Sequence, residues 1–93
     1  ATGTAALLAL AKLHSQQAPP RRSIVFLAVT AEVSGLLGSR WYSEHPIYPL
    51  ATTVANINID AMNVNGIMRD VVVVGYDSNE LQNYLENAAT KQD

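Results

Sequence analysis

The sequence predicts an α/β protein, namely part of a three-layer α/β/α sandwich with a mostly parallel sheet. Stretches with helical composition alternate with short apolar runs, and such runs are typical of parallel strands buried on both faces. The predicted order is helix, strand, helix, strand, strand, helix. Because three strands are too few to support two helical layers, we expect residues 1–93 to form a single partial domain, the central portion of a larger domain.

Composition limits the classes of function. The hydrophobic share is 48% and the charged share 15%, which is typical of a globular chain rather than a disordered one. The net charge is -2 with only six Lys and Arg residues, so we expect neither nucleic acid nor an anionic membrane as partner. The absence of cysteine excludes disulfides and thiolate metal sites within this chain. No apolar run approaches the roughly 18 residues of a membrane helix, and we expect a soluble protein.

The first predicted element is a helix over residues 4–17. This segment is rich in Ala, Leu, Lys and Gln, which favour helix, and Thr2 or Gly3 is the predicted cap. The helix is expected to end before Pro19 and Pro20, since a residue that precedes proline is disfavoured in the helical region.

A buried strand is predicted over residues 23–29, where β-branched and aromatic residues occur without polar alternation. Ser34 is the predicted N-cap of a second helix that carries Trp41 and Tyr42. Glu32 therefore falls in a loop between a strand and a helix, a common place for ligand binding in open α/β sheets.

The second half of the chain predicts two further strands, a turn and a final helix. Residues 54–60 alternate as a strand that ends on Asp60, and residues 63–66 (NVNG) predict a turn. Residues 70–75 (DVVVVG) predict a third strand. Asp77 and Glu80 have the spacing of a capping box that opens a final helix.

Glu32 and Asp60 are the candidate catalytic pair: if their two strands are neighbours in the sheet, both carboxylates reach the same edge, where they could bind a cation and transfer a proton. On spacing alone, the structural alternative is favoured, since acids are common in loops and caps. His14 and His45 are also interpreted as structural, because neither has a second ligand at metal-binding spacing.

Three segments taken together resemble the di-zinc aminopeptidase family, which includes bacterial leucyl aminopeptidases and relatives of glutamate carboxypeptidase and glutaminyl cyclase. The segments are TGTAALLALAKL, PRRSIVFLAVTAEVSGLLGSRWYSEHP and TVANINIDAMNVNG, and the resemblance covers nearly all of residues 1–75. It implies a zinc-dependent metallopeptidase that, in its complete form, carries two zinc ions and hydrolyses N-terminal peptide bonds of a peptide substrate. The compartment stays open, and a secreted or periplasmic location is compatible with the resemblance.

The same resemblance implies roles for individual residues. Glu32 matches the general base, Asp60 matches a zinc ligand, and Val33 occupies the position where the family has a glutamate ligand. The family's first histidine and bridging aspartate would precede Ala1, and its last histidine would follow Asp93. We therefore expect the 93-residue chain to bind zinc weakly and to be inactive alone.

The alternative is a non-catalytic, peptidase-like fragment or degenerate homologue that acts as a structural or interaction module. Val33 and the ligands outside the chain favour it. This interpretation predicts self-association, or pairing with the rest of the domain.

Overall fold

The computed structural model describes residues 1–92, which contain three α-helices and one 3₁₀ turn. The elements are α1 (Thr2–Ser15), α2 (Leu37–Glu44), the 3₁₀ turn (Leu50–Thr52) and α3 (Leu81–Thr90). The chain divides into two compact units, Ala1–Met62 and a second unit that begins at Asn63. None of the described helices is both long and apolar enough to cross a membrane.

The predicted α/β/α sandwich is wrong, because residues 1–92 contain no strand and no sheet. The predicted strands at 23–29, 54–60 and 70–75 are all irregular backbone. A strand exists only where a second backbone completes its hydrogen-bond ladder. Outside the helices of residues 1–92, backbone hydrogen bonds join near neighbours in sequence, and the widest runs from the Gly38 N–H to the Thr30 carbonyl.

The apolar runs that predicted buried strands remain exposed. Ile24 and Val25 retain 45% and 50% of their accessible surface, and no hydrophobic residue among 1–92 is buried. An apolar pattern indicates which residues can pack against a neighbouring layer of the fold, but burial also requires that this layer is present. The sequence pattern therefore predicted a burial that these residues do not have.

Helix α1 confirms the first predicted helix, with each end two residues earlier than expected. Ala1 is its N-cap, so the prediction that Thr2 or Gly3 caps the helix is wrong. The Ser15 hydroxyl donates a hydrogen bond of 2.7 Å to the Lys12 carbonyl in the last turn. The helix thus ends before the two prolines, as their restricted backbone requires.

Helix α2 confirms the second predicted helix but not its cap. Its N-cap is Leu36, in the left-handed region at φ 60°, and Ser34 lies outside the helix. The Ser34 N–H donates to the Ala31 carbonyl, which makes Ser34 part of the preceding turn.

The turn predicted at residues 63–66 is confirmed by a bend at residues 65 and 66 and by side-chain hydrogen bonds. The Asn63 amide accepts from the Asn65 N–H at 3.0 Å and donates to the Gly66 carbonyl at 2.6 Å. An Asn side chain that bonds the backbone two residues on is an Asx turn, and Gly66 supplies the positive φ of 113°.

The last predicted helix is confirmed as α3, but the capping box is not. Glu80 is the N-cap and makes no side-chain capping hydrogen bond. Instead, the Gln82 amide bonds both the backbone N–H and the carboxylate of Asp77, and the Asn79 side chain accepts from the Leu81 N–H at 2.9 Å. The start of α3 is therefore stabilised by Asp77, Asn79 and Gln82, and not by the Glu80 side chain.

Tyr76 is tied to α3 by its hydroxyl, which donates to the Glu86 carboxylate. This hydrogen bond, together with the negative charge of Glu86, raises the pKa of Tyr76. The raised pKa means that the bond stabilises the folded unit below pH about 10, and that this stabilisation is lost as the pH rises through the higher, folded-state pKa.

We predict that Glu86→Gln lowers the titration midpoint of Tyr76 toward the ordinary tyrosine value. The amide retains an acceptor oxygen but removes the charge that disfavours tyrosinate. Residue-resolved NMR of the tyrosine ring carbons measures the midpoint, and Glu80→Gln is the control, expected to leave it nearly unchanged. An equal midpoint in the wild type and Glu86→Gln would contradict this contact.

Candidate functional site

Glu32 lies in a tight turn that connects residue 30 to the start of α2. The Glu32 carbonyl accepts hydrogen bonds from the N–H groups of Gly35 and Leu36, at 3.2 and 2.9 Å. The Ala31 carbonyl accepts from the N–H groups of Ser34 and Leu37, at 3.3 and 3.2 Å. The backbone that carries Glu32 is therefore fixed by local hydrogen bonds, while its side chain is exposed.

This turn contains backbone strain. Ala31 and Leu36 have φ values of 57° and 60°, and a non-glycine residue in the left-handed region costs about 1–2 kcal/mol. Gly35 takes a φ of 95° without such a penalty. Because strained backbone persists only where its surroundings determine it, and is concentrated at functional sites, the strain supports a functional role for the turn.

Gly38 closes the turn at the beginning of α2. Its N–H donates to the Thr30 carbonyl at 3.1 Å. A Cβ at this position would lie 2.5 Å from the Thr30 carbonyl oxygen and 2.7 Å from its nitrogen. The absence of a side chain at Gly38 is thus what allows α2 to start against residue 30.

Asp60 lies beside the first turn of α1. The backbone of Gly3 approaches the carbonyl oxygens of Ile59 and Asp60 so closely that a Cβ on Gly3 would overlap both. The Thr2 hydroxyl accepts a hydrogen bond of 2.9 Å from the Met62 N–H. These contacts place the backbone of Asp60, while its side chain is exposed.

The residues present do not by themselves fit a zinc pair. Within residues 1–92, no three His, Cys, Asp or Glu side chains form a group that could hold a metal ion. Structural and catalytic zinc sites use at least three protein ligands. Val33 follows Glu32 with 94% of its surface exposed, and its apolar side chain offers no ligand atom. Asp60 is consequently the one residue here that the resemblance leaves as a metal ligand.

The two histidines contact aromatic rings. His45 caps the end of α2, where its ring stacks on Trp41 with centroids 4.6 Å apart and its Nδ1 lies 3.2 Å from the Trp41 carbonyl oxygen. The His14 ring lies 6.0 Å from the Phe26 ring, tilted by 46°. These contacts agree with the structural interpretation of both residues.

A comparison with protein-family models decides the family. The model described as peptidase family M28 matches residues 1–93, the whole chain. The chain belongs to peptidase family M28. Searches of curated proteins and of solved structures found no match.

Membership in family M28 confirms the resemblance that the three sequence segments indicated, and it supports a metallopeptidase-type hydrolase. The match concerns the family and does not test single positions. The roles of Glu32 and Asp60, and the assignment of Val33 to a ligand position, remain predictions.

Sequence reasoning missed Thr2 and Gly3 as neighbours of Asp60. The sequence indicates both only as possible helix caps, and nothing in it relates them to a residue almost sixty positions later. The available signal was the glycine itself, because a glycine at a helix start permits close approach by another backbone.

We predict that Gly38→Ala destabilises the protein by about 1–3 kcal/mol, although alanine has the higher helix propensity, because the new methyl group would collide with the Thr30 backbone. Chemical denaturation followed by circular dichroism measures the change. Ser39→Ala, at the next and exposed position of α2, removes only the hydrogen bond from the Ser39 hydroxyl to the Leu36 carbonyl and should cost about 1 kcal/mol or less. Equal stabilities of Gly38→Ala and wild type would show that the close approach is absent.

Proposed function

We propose that this chain supplies the general base and one metal ligand to a zinc-dependent aminopeptidase of family M28, which hydrolyses N-terminal peptide bonds. The observation that carries the proposal is the family match over the whole chain. The strained, hydrogen-bonded turn around Glu32 supports it, because such a turn holds a side chain at a defined place.

In this proposal Glu32 acts as the general base. It takes a proton from the attacking water and passes it to the amine that leaves when the peptide bond breaks. Its exposed carboxylate is accessible to both water and substrate, whereas its backbone is fixed by the Gly35 and Leu36 hydrogen bonds. Limited backbone movement favours proton transfer, since a base must remain within hydrogen-bond distance of the proton it abstracts.

Asp60 is proposed to act only as a metal ligand, without a part in proton transfer. Asp60 would contribute one carboxylate to a metal site that needs further ligands from outside residues 1–92, because these residues hold no group of three potential ligands. Residues 1–93 alone are accordingly proposed to be inactive.

A second candidate function is a non-catalytic structural or interaction module that keeps the family's sequence pattern. Val33 at the expected ligand position supports this candidate, which requires no proton transfer by Glu32. The two candidates predict different effects of removing the Glu32 charge: the aminopeptidase would lose peptide hydrolysis, whereas the module has no hydrolysis to lose.

We predict that Glu32→Gln in the full-length protein lowers kcat/KM for an aminoacyl anilide by about 10²- to 10⁴-fold, because the amide cannot accept the proton from water. The rate of aniline release measures this effect. Glu44→Gln removes an exposed carboxylate from α2 and is the matched control, expected to keep wild-type activity.

Two results would contradict the aminopeptidase proposal. If Glu32→Gln and Glu44→Gln hydrolyse the anilide equally well, Glu32 is not the base. If the full-length wild type releases no aniline from a panel of aminoacyl anilides, the non-catalytic module is the better description.

A further inference from the structure

We propose that Thr2 and Gly3, at the first turn of α1, are positioning residues for Asp60. The inference rests on the proposed function for Asp60 and extends it to two residues whose side chains have no part in the chemistry. It explains why a threonine and a glycine stand together where a helix begins without a side-chain cap.

The first observation is a hydrogen bond between residues 60 positions apart. The Thr2 Oγ1 accepts the Met62 N–H at 2.9 Å, and Met62 lies two residues beyond Asp60. The other side-chain hydrogen bonds among the described residues join partners no more than ten positions apart, such as Tyr76 and Glu86. The Thr2 bond therefore brings the Asp60 segment to α1.

The second observation is the contact on the other side of Asp60. Gly3 is buried, and a Cβ there would lie 2.8 Å from the Ile59 carbonyl oxygen and closer still to that of Asp60. Real Cβ atoms do not approach backbone oxygens so closely, so residue 3 must be glycine for this packing to persist.

These contacts bracket Asp60. Gly3 sets the position of the backbone at Ile59 and Asp60, and Thr2 holds the backbone at Met62. The Asp60 side chain is short, so the place of its backbone determines where its carboxylate can reach. Helix α1, with 14 residues, provides a regular element to which the segment is fixed.

Removing the Thr2 acceptor should loosen this arrangement. In Thr2→Val, which conserves shape, the Met62 amide should exchange with solvent about two- to tenfold faster, the range expected when one hydrogen bond is lost. A misplacement of about 1 Å at the site can cost about 10²-fold in rate, even when the mutated residue is far from the chemistry, so kcat should fall by up to that factor while KM changes less. Thr2→Ser, which retains the hydroxyl, should restore both.

The experiment uses the full-length protein. Hydrogen exchange at Met62 is followed by NMR or mass spectrometry, and kcat and KM are measured with an aminoacyl anilide. Thr4→Val is the matched control, since Thr4 is an exposed threonine of the same helix. Each variant is also made together with Asp60→Asn, because a residue that acts only through Asp60 should have no further effect on kcat when that carboxylate is absent.

The proposal is supported if Thr2→Val lowers kcat in the wild type but not in the Asp60→Asn background, with rescue by Thr2→Ser. It is overturned if the loss is the same in both backgrounds, since Thr2 would then support the structure in general. It is also overturned if the Met62 exchange rate is the same in Thr2→Val and wild type. A normal kcat for Asp60→Asn alone would instead overturn the proposed function of Asp60, and the Met62 exchange rate would still report on the contact.

Discussion

The contact between the start of α1 and residues 59–62 is the constraint on which the first unit depends. The bond from the Met62 N–H to Thr2 joins distant parts of the chain, and the close approach at Gly3 lies beside it. The other side-chain hydrogen bonds among the described residues join residues close in sequence. Closing a loop of this length has an entropic cost that rises only slowly with length, so a few well-made contacts can maintain it. The same contact sets the place of Asp60, so the fold and the proposed site depend on one interaction.

The helices could be predicted from the sequence, and the sheet could not. Helix α1 was found through propensity and the following prolines, and α3 through its periodicity, because both signals are local. The runs at 23–29 and 70–75 indicate buried strands, but a strand depends on a partner backbone, which can come from any part of a chain. In residues 1–92 that partner is absent, and Val72 remains 95% exposed.

The residues of the candidate site could be predicted from the sequence, but the contacts that hold them could not. Glu32 was selected by its position between an apolar run and a helix, and the structure adds the strained turn that holds it. Asp60 was selected by the Asn-Ile-Asp pattern, but its neighbours were not, because the approach of Gly3 joins distant parts of the chain. Three sequence segments within residues 1–75, with their order and spacing, indicate the family, and membership is confirmed across residues 1–93.

Residues 1–93 are proposed to contribute to an M28 site without forming a metal centre by themselves. The most direct test of this proposal is the zinc content of the 93-residue chain after dialysis with Zn²⁺ and gel filtration. One carboxylate ligand cannot hold zinc against water, so the chain should retain far less than one zinc ion per molecule. Retention of one or two zinc ions per chain, with loss of that zinc in Asp60→Asn, would contradict the account.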